Sequence, residues 1–89
     1  MKSRTTRQFR ELLKALPSRV QRQAHDAYVL FAANAHHPGL RFKRVLDDPE
    51  IYSARVGIGY RALAVLDGDT VVWFWIGSHA EYDKFFSEH

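Results

Sequence analysis

Cysteine is absent from this chain of 89 residues, so neither a disulfide framework nor a thiolate metal site is available to it. Long apolar runs are missing too. Purely apolar stretches are short, the longest being residues 27–33 and 71–76, and the basic start Met1-Lys-Ser-Arg-Thr-Thr-Arg7 is followed by no apolar segment. An export signal needs an apolar region directly after its basic start and a membrane-spanning helix needs a far longer run, so the expected setting is cytoplasmic, with no membrane partner. Proline and glycine are scarce, at 3 and 5 residues, and there are no low-complexity tracts, internal repeats or linkers. Five histidines are present, but His25, His36, His37, His79 and His89 show neither His-x3-His spacing nor a supporting carboxylate pattern. No metal and no cofactor is expected.

What is present is enough for one modest core. With 46% apolar and 13% aromatic residues, residues 1–89 read as one domain, small enough for partner binding to add usefully to its stability. The net charge of +3 hides an asymmetry. Residues 1–22 hold seven Lys or Arg against one Glu, and residues 67–89 hold one Lys against five Asp or Glu. A basic helical face is either simply solvated or a contact for nucleic-acid phosphates or an acidic partner segment.

In residues 7–16, Phe9, Leu12, Leu13 and Leu16 recur at spacings of three and four, which is one face of a helix, and Pro17 stops it. Ser18 can cap a second helix with the buried stripe Val20, Ala24, Ala27, Tyr28 and Phe31, ended by Asn34 and the polar turn His36-His37-Pro38-Gly39. From Leu40 the period becomes two. Strands are expected over residues 40–45, 51–56, 60–66 and 70–76, separated by turns at Asp47-Asp48-Pro49-Glu50, Gly57-Ile58-Gly59 and Asp67-Gly68-Asp69. The expected fold is therefore α+β: an N-terminal helical hairpin packed on a four-stranded antiparallel meander, with a short C-terminal helix carrying His79 and Tyr82.

Strand parity makes the hairpin around Gly57-Ile58-Gly59 informative. If those three residues form the loop, Val56 faces Tyr60 and Arg55 lies across from Arg61, with both guanidinium groups on one face. Like charges placed opposite each other cost stability, and an anionic ligand between them would offset that cost. Pairing of each arginine with a local carboxylate such as Glu81 or Asp83 is the other reading. The last strand, Val71-Val-Trp73-Phe-Trp75-Ile76, does not alternate in polarity, which suggests a central strand covered on both faces. Its tryptophans suit core packing or, on an open face, a stacked base.

The phrases Leu40-Arg-Phe-Lys-Arg-Val45, Tyr52-Ser-Ala-Arg55, Gly59-Tyr60-Arg61 and Val72-Trp-Phe-Trp-Ile-Gly-Ser-His79, with Glu81-Tyr82-Asp-Lys84 after them, resemble the RelE/ParE superfamily of bacterial type II toxins over nearly the whole chain. The resemblance implies a toxin of a toxin-antitoxin system. Its RelE-like members cleave messenger RNA on the ribosome without a metal and are neutralised by a cognate antitoxin that wraps basic and apolar surface. It further implies that Arg55 and Arg61 hold the scissile phosphate, that His79 fills the slot after the last strand taken by Arg or a catalytic His, and that Lys43 falls near an RNA-contacting position. Arg41 and Arg44 extend that candidate RNA-binding run. Three positions depart from the pattern. The usual first strand has no apolar alternation to mark it before residue 7, a tyrosine found six residues past the His79 slot in some members falls on Phe85, and Ser53 stands where some members have Lys.

Metal-free RNA cleavage needs a base for the 2′-hydroxyl proton, cations for the charge developing on phosphorus, and an acid for the departing 5′-oxygen. Guanidinium groups suit the cationic role because they stay charged and bind phosphate oxygens bidentately. His79 suits either the acid or the base, and Tyr82, one helical turn on, suits substrate orientation or proton transfer. Their bland alternatives are a locally hydrogen-bonded helix residue and an aromatic packed beside Phe85 and Phe86. Two other functions stay open. One is a ParE-like toxin that binds DNA gyrase without a nuclease site; the other is a family member that retains only antitoxin binding.

Overall fold

Thr6 starts the first helix, its hydroxyl accepting a hydrogen bond from the Phe9 N–H at 3.1 Å. In the computed structural model, which describes residues 2–88 and leaves His89 outside, that helix is α1 (Arg7–Lys14), preceded by a strand β1 (Lys2–Thr5). Helix α2 (Ser18–Ala33) follows, entered through Pro17, whose fixed φ suits a helix start. A 3-10 turn (Pro38–Leu40) leads into β2 (Lys43–Asp47), β3 (Glu50–Val56), β4 (Tyr60–Asp67), β5 (Thr70–Ser78) and a C-terminal helix α3 (His79–Glu88). The meander and the helices thus fall close to where the hydrophobic periods place them, except that Leu40 belongs to the 3-10 turn, the first meander strand starts only at Lys43, Asp47 and Glu50 join the strands on either side of their turn, and β5 runs on to Ser78.

The sheet corrects the sequence expectation. It has five strands in the order β1-β5-β4-β3-β2, and β1 runs parallel to β5, so the sheet is mixed and not four-stranded antiparallel. All four residues of β1 are polar and exposed or half-buried, so the strand buries no apolar face that alternation could mark. β1 is held instead by its backbone ladder and by hydrogen bonds such as Lys2 N–H to the Asp69 carbonyl and Trp73 Nε1–H to the Ser3 hydroxyl at 2.9 Å. The helical layout also differs from a tight hairpin. Helix α1 lies against β5 and α2 against β3, leaving a cleft of about 600 Å³ between them. Tyr28, expected in the buried stripe, is 45% exposed on the wall of that cleft.

Because side chains alternate across a strand, the two sheet faces separate cleanly. Ala54, Val56, Ala62, Ala64, Val71, Trp73 and Ile76 join Phe9, Val20, Phe31 and Leu40 in one core beneath α1 and α2. Phe31 meets Trp73 edge-on at 5.4 Å, and Phe42 stacks on Tyr52 at 4.9 Å. Ser53, Arg55, Arg61, Leu63 and Trp75 occupy the other face, where Phe85 of α3 meets the Trp75 ring at 5.9 Å. A bulge at Phe74 decides this arrangement: Trp75 pairs with Leu63 while Trp73 pairs with Ala64, so two tryptophans of equal parity end on opposite faces. β5 is indeed covered on both sides. Among the described residues no helix is long and apolar enough to cross a membrane.

Candidate active site

The loop Gly57-Ile58-Gly59 closes the β3–β4 hairpin, with Gly57 at φ 59°, a left-handed conformation that glycine adopts without steric cost. Val56 consequently pairs with Tyr60, and Arg55 stands directly opposite Arg61 on the sheet face away from α1 and α2. Each cation is anchored separately. Arg55 Nε–H donates to the Gly57 carbonyl at 3.0 Å, and an Arg61 amino group donates to the Ser53 hydroxyl at 3.3 Å. Ser53 is the fully buried polar side chain of this face, so its hydroxyl holds one terminal amino group of the Arg61 guanidinium. Arg61 also lies against the Tyr82 ring, 5.6 Å from its centroid.

Neither arginine pairs with a carboxylate among the described residues, because the two nearby acids are engaged elsewhere. Glu81 and Ser78 form a reciprocal capping box at the start of α3: Ser78 N–H donates to Glu81 Oε1 at 2.9 Å and Glu81 N–H to Ser78 Oγ at 3.1 Å. Asp83 Oδ2 lies 3.2 Å from His79 Nδ1. A carboxylate only accepts, so Nδ1 carries the hydrogen and Nε2 is left to act on other groups. The His79 backbone N–H donates to the Gly59 carbonyl at 2.8 Å, tying the helix start to the hairpin loop. The His79 and Tyr82 rings are 5.9 Å apart, and Phe86 backs Tyr82 at 4.9 Å. With its side chain 54% exposed, His79 is open to a ligand.

The structure thus gathers Arg55, Arg61, His79 and Tyr82 at one end of the sheet. Lys43 pairs with Ser53 in the register and so shares the face of the two arginines. Its neighbours do not. Arg44 pairs with Tyr52 on the opposite face and reaches Asp47 at 3.2 Å, and Arg41 caps the 3-10 turn at φ 47°, outside the strand ladder. Phe85, six residues past His79, packs on Trp75. Trp73 is buried and unable to stack a base. Two supporting features escaped sequence reading. The Ser78-x-x-Glu81 spacing could have revealed the capping box, whereas nothing local distinguishes Ser53 from a surface strand serine. Among the described residues no group of three or more His, Asp or Glu gathers as a metal site.

A mixed five-stranded sheet with two N-terminal helices on one face and a C-terminal helix on the other is an architecture shared with known toxins. The family model of the ParE-like toxin domain matches residues 18–84, well over half of the chain. The protein belongs to that family, within the RelE/ParE superfamily of toxin-antitoxin toxins. Among solved structures it is similar to the toxin-antitoxin complex RelBE2 from Mycobacterium tuberculosis, at 29% identity and TM-score 0.58, covering 88% of this chain and 96% of that one. The RelB-RelE antitoxin-toxin complex from Methanococcus jannaschii shares the fold at TM-score 0.68 and 19% identity, covering 92% and 96%. A copper-bound mutant toxin from Helicobacter pylori does so at TM-score 0.59 and 14% identity, covering 91% and 97%. No curated protein matches the chain significantly.

Proposed function

We propose that this toxin is a metal-free endoribonuclease that cleaves messenger RNA on the ribosome and so inhibits translation, and that a cognate antitoxin neutralises it. The observation carrying this reading is the placement of Arg55 opposite Arg61 with no carboxylate partner among the described residues, beside His79 and Tyr82. Two guanidinium groups on one face hold the non-bridging oxygens of a phosphodiester and stabilise charge as the phosphorane forms. His79 Nε2, oriented through Asp83, takes the 2′-hydroxyl proton. The 2′-oxygen attacks phosphorus and the bond to the 5′-oxygen breaks, leaving a 2′,3′-cyclic phosphate. The Tyr82 phenol, held against Arg61, supplies the proton to the departing 5′-oxygen. Lys43 extends the cationic face along the RNA strand.

The test is His79→Gln on a programmed ribosome. Fold and RNA affinity persist, and the single-turnover cleavage rate falls by roughly 10²–10⁴-fold. Cleavage at the parental rate removes His79 from the mechanism. A second reading, poisoning of DNA gyrase by binding alone, is favoured by the ParE-like description of the family. Growth arrest with intact messenger RNA and inhibited supercoiling would select it.

The antitoxin reading rests on the similarity to the toxin-antitoxin complex RelBE2 and on the cleft between α1 and α2. Phe9, Leu13, Ala27 and Tyr28 give that cleft apolar walls, and Arg4 and Arg10 also line it. An amphipathic segment with acidic residues on its outer side matches both features.

A further inference from the structure

Ile58 is 87% exposed, and a solitary exposed isoleucine carries no meaning by itself. Its setting is informative. The loop that presents it is fastened by two hydrogen bonds, the Gly57 carbonyl accepting from Arg55 and the Gly59 carbonyl from the His79 N–H, and Gly57 packs so close to Gln23 of α2 that a Cβ there would stand 2.6 Å from its Oε1. The apolar tip is therefore held in place next to the candidate site. Ile58 lies three residues after Arg55 and three before Arg61, at most roughly 10 Å of extended chain from each. Arg55 spends its Nε–H on the loop carbonyl and keeps its two amino groups for a ligand beside that loop.

Single-stranded nucleic acid is held by this pairing of chemistries, with cations tracking phosphates and apolar or aromatic side chains covering base faces. Isoleucine is among the side chains that wedge against unstacked bases in nucleic-acid complexes. A protein partner would need a far larger patch than one side chain between two glycines, since stable interfaces bury about 800 Å² per partner. We infer that the Gly57-Ile58-Gly59 tip is a nucleobase subsite, in which Ile58 packs on the base adjoining the phosphate held by Arg55 and Arg61. The inference rests on the proposed reading that RNA is the ligand.

The experiment measures binding of a short labelled single-stranded oligoribonucleotide, and of the same oligomer with abasic central positions, to the parent, Ile58→Ser, Ile58→Trp and Arg55→Ala. Ile58→Ser weakens binding of the intact oligomer roughly five- to tenfold, and Ile58→Trp tightens it by offering a ring face. Both leave thermal stability, abasic binding and the salt dependence as in the parent, whereas Arg55→Ala flattens the salt dependence for both oligomers. Ile58 variants that bind the intact oligomer as the parent does, or that shift the abasic one equally, overturn the subsite while the arginine result upholds the cation pair. If Arg55→Ala also changes nothing, the phosphate reading itself is overturned. Unchanged RNA binding combined with weaker antitoxin co-purification makes the tip a protein contact and likewise overturns the subsite.

Discussion

Gly77→Ala is the substitution that best tests how α3 is seated over the cation site. Gly77 pairs with Arg61 in the β4–β5 ladder, and an added Cβ would lie 2.6 Å from Trp75 Cζ2, 2.7 Å from Cη2 and 3.1 Å from Glu81 Oε1. The indole cannot turn aside freely, because it rests on Phe85 of α3 at 5.9 Å, and Glu81 is already committed to capping that helix. Overpacking of this kind costs about 2 kcal/mol. For a domain of this size, 1 kcal/mol moves Tm by roughly 4–8 °C, so Tm should fall by about 8–16 °C. Thermal and urea unfolding measure it, with an unchanged urea m-value marking a loss of stability and not of cooperativity. In a Trp75→Leu background, which is itself less stable, the ring is gone and Gly77→Ala should cost under about 0.5 kcal/mol, a coupling of roughly 1–2 kcal/mol. A penalty that persists without the indole, or that is missing from the parent, would refute the packing argument.

Arg55→Ala and Arg61→Ala should each weaken RNA binding and lower the slope of log K against log salt by about 0.7, read from titrations at several salt concentrations; slopes equal to the parent's would remove the paired-cation site. Ser78→Ala deletes the hydroxyl half of the capping box, and calorimetry should show a loss of about 1 kcal/mol together with reduced cleavage as the start of α3 loosens. Co-purified antitoxin should stabilise the protein by about 2.7 kcal/mol at a hundredfold excess over Kd. Absence of any thermal shift with the product of a neighbouring small gene would count against the partner reading.

Local pattern was sufficient wherever one residue's neighbours in sequence are also its neighbours in space. The three-and-four spacing of Phe9, Leu12, Leu13 and Leu16 and the Gly57-Ile58-Gly59 loop are of this kind. A three-residue loop leaves one register for the strands it joins, so the Arg55–Arg61 juxtaposition is readable from the sequence. The unalternating 71–76 run likewise announced a strand covered on both faces.

Tertiary structure decided the rest. β1 was invisible because an edge strand parallel to β5 is held by long-range backbone hydrogen bonds, not by apolar alternation. The split of Trp73 from Trp75 needed a bulge at Phe74, which period-two reasoning cannot place. Arg41, Lys43 and Arg44 read as one basic run, yet the left-handed turn at Arg41 and the β2–β3 register leave only Lys43 established on the cationic face. Ser53 acquired its role only when burial left Arg61 as the partner of its hydroxyl. Sequence by itself determined the helices, the four meander strands, the hairpin register and the family, because these depend on short-range period and turn chemistry. Which side chains share a face, which acids are already engaged and where α3 meets the sheet depend on contacts between residues far apart in the chain, and those only the folded structure could settle.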